Sequence, residues 1–300
     1  MCTTCGCGDD AGVRISNLDG VASSGILVHE HPHDHDHDHP HHHDHPNDHD
    51  HPHDHDHDAG HPRTISLEQN LLAKNDLLAA RNRGWLQGRR IRAFNVMSSP
   101  GAGKTTLLVR TILELGDRLN FAVIEGDQET SLDADRIRST GRPVIQINTG
   151  AGCHLDADML QRGLDALNPE PGSTVFIENV GNLVCPALFD LGESAKVVVI
   201  SVTEGDDKPQ KYPHMFLAAD LVIVNKSDLL PYVDFAVEEC ARQARELNPH
   251  VDVIVVSATT GEGLNDWYDW LIRNAGATEE HAAAETITQR IPQDALTSAQ

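Results

Sequence analysis

Seven short runs rich in β-branched and other apolar residues recur along this chain, at 91–97, 121–125, 144–147, 174–178, 196–202, 221–225 and 251–256, with helical patterns between them. Several, VFIEN, KVVVISV and LVIVNK among them, show no alternation of apolar and polar positions. A strand reads that way when both of its faces are covered, and strands alternating with helices cover both faces by lying parallel in one sheet between helical layers. The sequence therefore predicts an α/β fold with a mainly parallel sheet and helices on both faces. In such a sheet the C-terminal strand ends carry the site.

Two stretches cannot join that core. Sixteen of the twenty histidines lie between His29 and His61, interleaved with nine aspartates and several prolines. With no large apolar side chain to bury, ordering this run costs backbone entropy without hydrophobic return, so residues 1–64 are expected to be a disordered head. Neutral imidazole suits nickel, zinc and copper, and a mobile string of it among carboxylates reads as a multi-ion metal store; the plainer alternative is a solubilising polar tail. Residues 276–300 have few large apolar side chains and are expected to form a flexible tail. Between them, residues 65–275 suffice for one domain, led by an amphipathic helix over 66–87 whose start carries Ser66 and Gln69 at capping-box spacing.

The formal charge of −23 is concentrated in part in the histidine run, and the few Lys and Arg are dispersed, so nucleic acid is not an expected partner. No apolar stretch is long enough to span a bilayer, and the N-terminus lacks the basic and apolar regions of a secretory signal. A cytoplasmic location without membrane attachment is the expectation, and clustered thiols in a reducing compartment read as metal ligands.

The first strand runs into Ser98-Ser99-Pro100-Gly101-Ala102-Gly103-Lys104-Thr105-Thr106 and then a helix. This is a phosphate-binding loop in the expected context: the N–H groups of Gly101, Ala102, Gly103 and the helix start cradle an anion, Lys104 reaches the β- and γ-phosphates, and the Thr105 hydroxyl ligates Mg²⁺. Ser98 stands where the usual pattern has glycine, so the first turn must avoid a strongly positive φ or let serine accept it. Asn225-Lys226-Ser227-Asp228 selects the base. The two oxygens of Asp228 match the N1–H and 2-amino donors of guanine, Asn225 suits the other edge, and the Lys226 stem covers the face. Ser257 and Ala258 can offer backbone donors to the guanine carbonyl. GTP and GDP are thus favoured over adenine nucleotides. Glu178 and Gly181, in ENVG, fall where GTPases place an acidic residue and a γ-phosphate-sensing glycine. Asp127, in EGDQ, is placed to join the Mg²⁺ shell, with Asp133 a weaker candidate that also reads as a helix cap.

Cys153 and His154 follow a glycine-rich turn and Cys185 follows the strand that ends in ENVG. Two thiolates and an imidazole are one ligand short of a closed tetrahedral zinc site, which suggests a water or a position shared across a dimer; a pair of buried structural cysteines is the alternative. Cys240 lies in a helical pattern and reads as buried. Cys2, Cys5 and Cys7 form C-x-x-C-x-C, able to wrap one soft ion or, alternatively, to take part in disulfide chemistry.

Taken together, SSPGAGKTT, EGDQ, GCH with NLVCP, ENVG, DKPQKYP and NKSD, behind a cysteine-led, histidine-rich head, resemble the nickel-incorporating GTPases of NiFe hydrogenase maturation, and are similar to the urease-accessory GTPases. The resemblance covers 66–275. It implies a slow GTPase of the metal-chaperone branch that dimerises with nucleotide or metal and passes Ni²⁺ to a hydrogenase large subunit with a zinc-containing maturation partner. It implies also that Cys153, His154 and Cys185 hold nickel or zinc, and that Cys2, Cys5 and Cys7 hold nickel. Lys208, in DKPQKYP, is expected at the nucleotide-dependent interface. No arginine finger or water-positioning glutamine is evident, which predicts weak intrinsic hydrolysis. Two other classes stay open: a metal buffer with incidental GTPase activity, and a signalling or translation GTPase with a metal-binding appendage.

Overall fold

A computed structural model of the chain describes residues 14–17, 61–127, 132–150 and 152–276. Cys2, Cys5, Cys7, the histidine run up to residue 60, Gln128 and the 277–300 tail lie outside the described residues. Strands β2 (Arg92–Ser98), β3 (Phe121–Asp127), β4 (Val144–Asn148), β5 (Thr174–Gly181), β6 (Ala195–Ser201), β7 (Leu221–Asn225) and β8 (Asp252–Val255) fall on the seven apolar runs. They are parallel, as continuous burial on both faces requires. Four residues of the N-terminal segment, Arg14–Asn17 (β1), add an antiparallel edge strand opposite Asn148–Ile145, within the stretch the sequence predicted to be a disordered head. The described sheet runs in the order β1-β4-β3-β5-β2-β6-β7-β8.

Helices cover both faces. On one, α2 (Lys104–Leu115) and α8 (Leu264–Ala275) pack on Phe94, Phe121, Phe176 and Val197. The fully buried Trp267 there donates its Nε1 to Thr111 Oγ1 at 2.9 Å, so the indole's polar atom is satisfied within the core. The other face carries α1 (His61–Gly88) and α4 (Ala157–Leu167) against β3 and β4, then α6 (Pro213–Ala218) and α7 (Val237–Leu247) against β6 and β7. The remaining helices are α3 (Leu132–Arg138) and α5 (Lys208–Lys211). Among the described residues no helix is long and apolar enough to cross a membrane.

The leading helix departs from its sequence pattern in two ways. It begins at His61, so Ser66 is interior rather than a cap, and Pro62 near its start is tolerated because the first turn has no intrahelical acceptor for that N–H. Its buried face is also not a simple apolar row: Leu71 and Leu77 are exposed and Leu72, Leu78 and Trp85 half-buried, whereas Asn75, Ala79, Asn82 and Leu86 are buried. Polar bonds explain this. Asn75 accepts from Ala157 N (2.9 Å) and donates to Asp190 O (2.7 Å), and Asn82 donates to Ala157 O (2.8 Å) and Leu191 O (3.1 Å). At Gly192, with φ of 89°, a Cβ would come within 2.4 Å of Ala79 O, so glycine is what lets the helix approach this closely. The helix thereby secures the start of α4 and the 190–192 turn, both next to the site described below.

Candidate nucleotide and metal sites

β2 ends at Ser98, whose φ is not among the positive ones, and the left-handed turns of the following loop fall on Gly101 (φ 76°) and Gly103 (φ 92°). Ser98 therefore satisfies the first of its two alternatives. At Gly103 a Cβ would stand 2.5 Å from Asn225 Nδ2, so crowding and φ both require glycine. The Lys104 ammonium lies 3.2 Å from Glu178 Oε1, and Thr105 Oγ1 donates to the same oxygen at 2.6 Å. Gly181 packs on Pro100, where an added Cβ would meet its Cα at 3.2 Å. A cavity of about 530 Å³ opens over the loop, with Thr106, Glu125, Asp127, Asp133 and Arg136 in its walls.

Its floor is acidic. Glu125 and Glu178 are each 2% exposed, and each has an Oε2 with no hydrogen-bond partner. Burial pushes the Glu125 carboxyl up to about 8, reinforced by the charges of Glu178, Asp127 and Asp133 and opposed by Lys104. Arg136 pairs with Asp133 at 3.3 Å and donates to Thr106 Oγ1 at 2.9 Å. Glu125 and Arg136 were not singled out by the sequence reading. A carboxylate closing a wholly apolar strand was a usable signal for Glu125, since unpaired Glu is almost never fully buried. Arg136 was hidden because an arginine three residues after an aspartate looks like an ordinary exposed helix pair.

The base-recognition residues gather beside the loop. Asn225 donates to Ala102 O (2.9 Å) and accepts from Ala258 N (3.0 Å), so its amide clamps the phosphate loop to the 257–259 turn. Lys226, with φ of 63°, donates to Gly101 O at 2.7 Å. Asp228 accepts from Ser257 Oγ at 2.6 Å. Arg110, from α2, donates to the carbonyls of Ala258 (3.1 Å) and Thr259 (2.8 Å) and so braces the same turn from below. Lys208 pairs with Glu204 at 3.3 Å, and the Glu204 carboxylate in turn accepts from Ser99 Oγ, joining DKPQKYP to the phosphate loop.

Three donor atoms from Cys153, His154 and Cys185 all lie within 4.8 Å of one another. Cys153 Sγ is 3.7 Å from His154 Nδ1. His154 is buried against Phe189, ring centroids 4.0 Å apart, and burial lowers its pKa against the opposing charge of Asp156. The neutral imidazole so favoured is the ligating form. Cys185 opens a short 3₁₀ turn (Cys185–Ala187) between the exposed Val184 and Leu188. Cys240, by contrast, is 1% exposed in α7 with its thiol pushed up to about 12 by burial, the profile of an inert core cysteine.

The two groups are joined by one segment. β5 brings Glu178 to Lys104 and Thr105, and four residues beyond Gly181 the chain reaches Cys185. On the way, Asn179 Oδ1 accepts from Leu155 N at 3.1 Å and Asn182 Nδ2 donates to Cys153 O at 3.2 Å. The turn before Cys153 is closed by Gly152 N donating to Thr149 O at 2.9 Å, and Thr149 N donates to Asp127 O at 2.9 Å.

Comparison with known proteins agrees with this arrangement. Residues 92–255 match the family model described as CobW/HypB/UreG, nucleotide-binding domain. The hydrogenase maturation factor HypB of Rhizobium leguminosarum bv. viciae is 60% identical over 209 residues, covering 70% of this chain and 70% of that one. That of Escherichia coli (strain K12) is 56% identical over 209 residues, covering 70% and 72%. Among solved structures, HypB from Helicobacter pylori in complex with nickel aligns with a TM-score of 0.64 at 37% identity, over 68% of this chain and 96% of that one. The hydrogenase maturation factor from Archaeoglobus fulgidus gives 0.63 at 39%, over 68% and 99%. A P-loop GTPase-like sheet, a phosphate loop at the end of its β2 strand and relatives of this identity have one reading: the chain belongs to the CobW/HypB/UreG family of nucleotide-binding domains, in its HypB branch.

Proposed function

We propose that this protein is a GTP-hydrolysing nickel metallochaperone, which stores Ni²⁺ on its head and inserts it into the large subunit of a NiFe hydrogenase. The carrying observation is the cluster of Cys153, His154 and Cys185 donor atoms within 4.8 Å, at the end of the same strand whose Glu178 bonds Lys104 and Thr105. Relatives named as hydrogenase maturation factors, one of them solved with nickel, support the cargo.

In this reading the N–H groups from Gly101 to Thr106 and the Lys104 ammonium hold the β- and γ-phosphates, while Gly181, packed on Pro100, senses the γ-phosphate. Asp228 selects guanine and Asn225, Ser257 and Ala258 hold its loop in place. The buried, unpartnered oxygens of Glu125 and Glu178 beside Thr105 and Asp127 suit a hard divalent cation, and Mg²⁺ would be held there by Thr105, Asp127 and Glu178. Its contribution is to neutralise charge on the transferring phosphoryl oxygens. Two thiolates and one neutral imidazole suit Ni²⁺ or Zn²⁺, and a homodimer sharing the cluster, formed with nucleotide or metal in the cytoplasm, would complete its coordination before hand-over with a zinc-containing maturation partner.

The test separates delivery from storage. Lys104→Ala should abolish hydrogenase maturation even in excess nickel while leaving metal tolerance intact, and deletion of residues 29–61 should do the reverse. Maturation surviving Lys104→Ala would favour the second reading, a nickel and zinc store with incidental GTPase activity, for which the sixteen histidines of the run speak.

A further inference from the structure

We infer that Asn179 and Asn182 are the positioning residues through which nucleotide binding changes the geometry of the Cys153–His154–Cys185 cluster. The inference rests on the reading of that cluster as the metal site and names the parts that link it to the nucleotide.

Asn179 follows Glu178 directly and is 1% exposed, with both its amide oxygen and its amide nitrogen engaged. Its Oδ1 accepts from Leu155 N (3.1 Å) and Val180 N (3.0 Å), and its Nδ2 donates to Asn95 Oδ1 at 3.2 Å. Asn95 in turn donates to Glu193 Oε1 at 3.1 Å. The amide thus fixes the backbone immediately after His154 to the centre of the sheet. Asn182, three residues on, donates to Cys153 O at 3.2 Å and accepts from Val184 N at 2.8 Å, so it sets the backbone on both sides of the cluster, at Cys153 and just before Cys185. Between the two lies Gly181, against Pro100 of the phosphate loop. Residues 178–185 therefore touch the lysine, threonine and proline of the phosphate loop at one end and carry a metal thiol at the other. The two asparagines are the side chains by which they also grip the loop bearing the other two ligands. Phosphates that draw Lys104 and Thr105 away from Glu178 act on the first residue of this segment, and a buried amide bonded at both oxygen and nitrogen next to it transmits the displacement instead of absorbing it. A second route exists by backbone, from Asp127 O to Thr149 and on to Cys153. It runs through no part of 178–185 and makes the inference falsifiable.

The test uses the full chain carrying Cys2→Ser, Cys5→Ser and Cys7→Ser, so that sulfur-to-nickel charge-transfer absorption reports Cys153 and Cys185 alone. Ni²⁺ is titrated with GDP and with a non-hydrolysable GTP analogue. With both asparagines present, the two Ni²⁺ affinities should differ by about fivefold or more, with different band positions, and by reciprocity Ni²⁺ should shift nucleotide affinity by the same factor. Asn179→Ala with Asn182→Ala should bring the ratio below about twofold and make the two spectra coincide. Asn182→Asp keeps the acceptor for Val184 N–H and removes the donor to Cys153; it should at least halve the ratio while nucleotide affinity without nickel is unchanged, and it serves if loss of the buried Asn179 prevents folding. A ratio retained in both variants would overturn the inference and assign coupling to the Thr149 turn. No nucleotide dependence even with both asparagines intact would overturn the GTP-driven reading as well.

Discussion

The phosphate loop and the thiol–imidazole cluster sit at the same end of one sheet and are held in opposite ways. The loop is written in nine consecutive residues, its shape set by two glycines of positive φ and locked from outside by Asn225 and Lys226. The cluster draws its donors from residues 153–154 and 185, and its shape hangs on the amides of Asn179 and Asn182 and the Thr149 turn. A site fixed by its own backbone is rigid and intolerant. One assembled by side chains from two segments can be reshaped by moving either, which is what the proposed uptake and release of an ion would require. The largest effect that sharpens this contrast comes from Gly103→Ala. An Ala there meets the left-handed penalty of about 1–2 kcal/mol and displaces the Asn225 clamp, worth about 1–3 kcal/mol more. GTP affinity should fall about a hundredfold or more by calorimetry, with Ni²⁺ affinity of the cluster in nucleotide-free protein within about threefold of the parent. An equal loss at both sites would break the comparison.

Cys185→Ser is the converse experiment. Loss of one of three donors should weaken Ni²⁺ at the cluster by at least about tenfold, since loss of an outer partner alone costs that much, and should leave GDP affinity unchanged. Competition against a chelator, in a chain with serine at 2, 5 and 7, measures it. Unchanged nickel affinity would mean that Cys153 and Cys185 are merely neighbours.

How much of this was legible follows from the same contrast. The seven parallel strands were, to within a few residues at each end, because burial on both faces leaves an unbroken apolar run. The phosphate loop was, because its chemistry needs contiguous residues. Even the convergence of GCH and NLVCP could be anticipated, since both leave strands at the same sheet end. What stayed hidden depends on partners distant in sequence. Arg14–Asn17 is too short and polar to announce a strand, and only the free edge of β4 gives it one. That Asn225 also clamps the phosphate loop was hidden, because nothing local shows that Ala102 and Ala258 bond its amide. The docking face of α1 was hidden because Asn75, Ala79 and Asn82, which carry most of it, are small or polar and give no apolar periodicity.

That helix supplies the next prediction, of intermediate size. Asn82→Ala leaves the carbonyls of Ala157 and Leu191 without their buried donor, a cost of about 1–3 kcal/mol. Thermal unfolding should move down by roughly 2–4 °C per kcal/mol for a domain of this size. If the metal half is the softer of the two, Ni²⁺ affinity should drop in the same variant while nucleotide affinity does not, because Ala157 begins the helix just after His154.

The smallest effect concerns the 190–193 turn that α1 supports, next to Phe189 and hence to His154. Its two carboxyls titrate in opposite senses. Burial raises the pKa of Asp190, but the paired bonds from Arg83 at 2.6 and 2.8 Å and the Gly192 N–H outweigh it, and the net shift is downward. Glu193 is raised by burial, against the pull of Lys196 and the Asn95 amide. A depressed carboxyl contributes stability that is present above its ordinary pKa and lost as pH falls through the folded value; a raised one contributes stability present below its ordinary pKa and lost as pH rises through the folded value. Arg83→Ala should therefore flatten the acid limb of a Tm-against-pH curve below about pH 4, and Glu193→Gln the limb on the rising side. The half-exposed Arg83–Asp190 pair should be worth no more than about 1 kcal/mol, and less in high salt. Should Arg83→Ala instead flatten the rising limb, the turn would be governed by Glu193 alone, and the polar chain from Glu193 through Asn95 to Asn179 would be the support on which the metal loop depends.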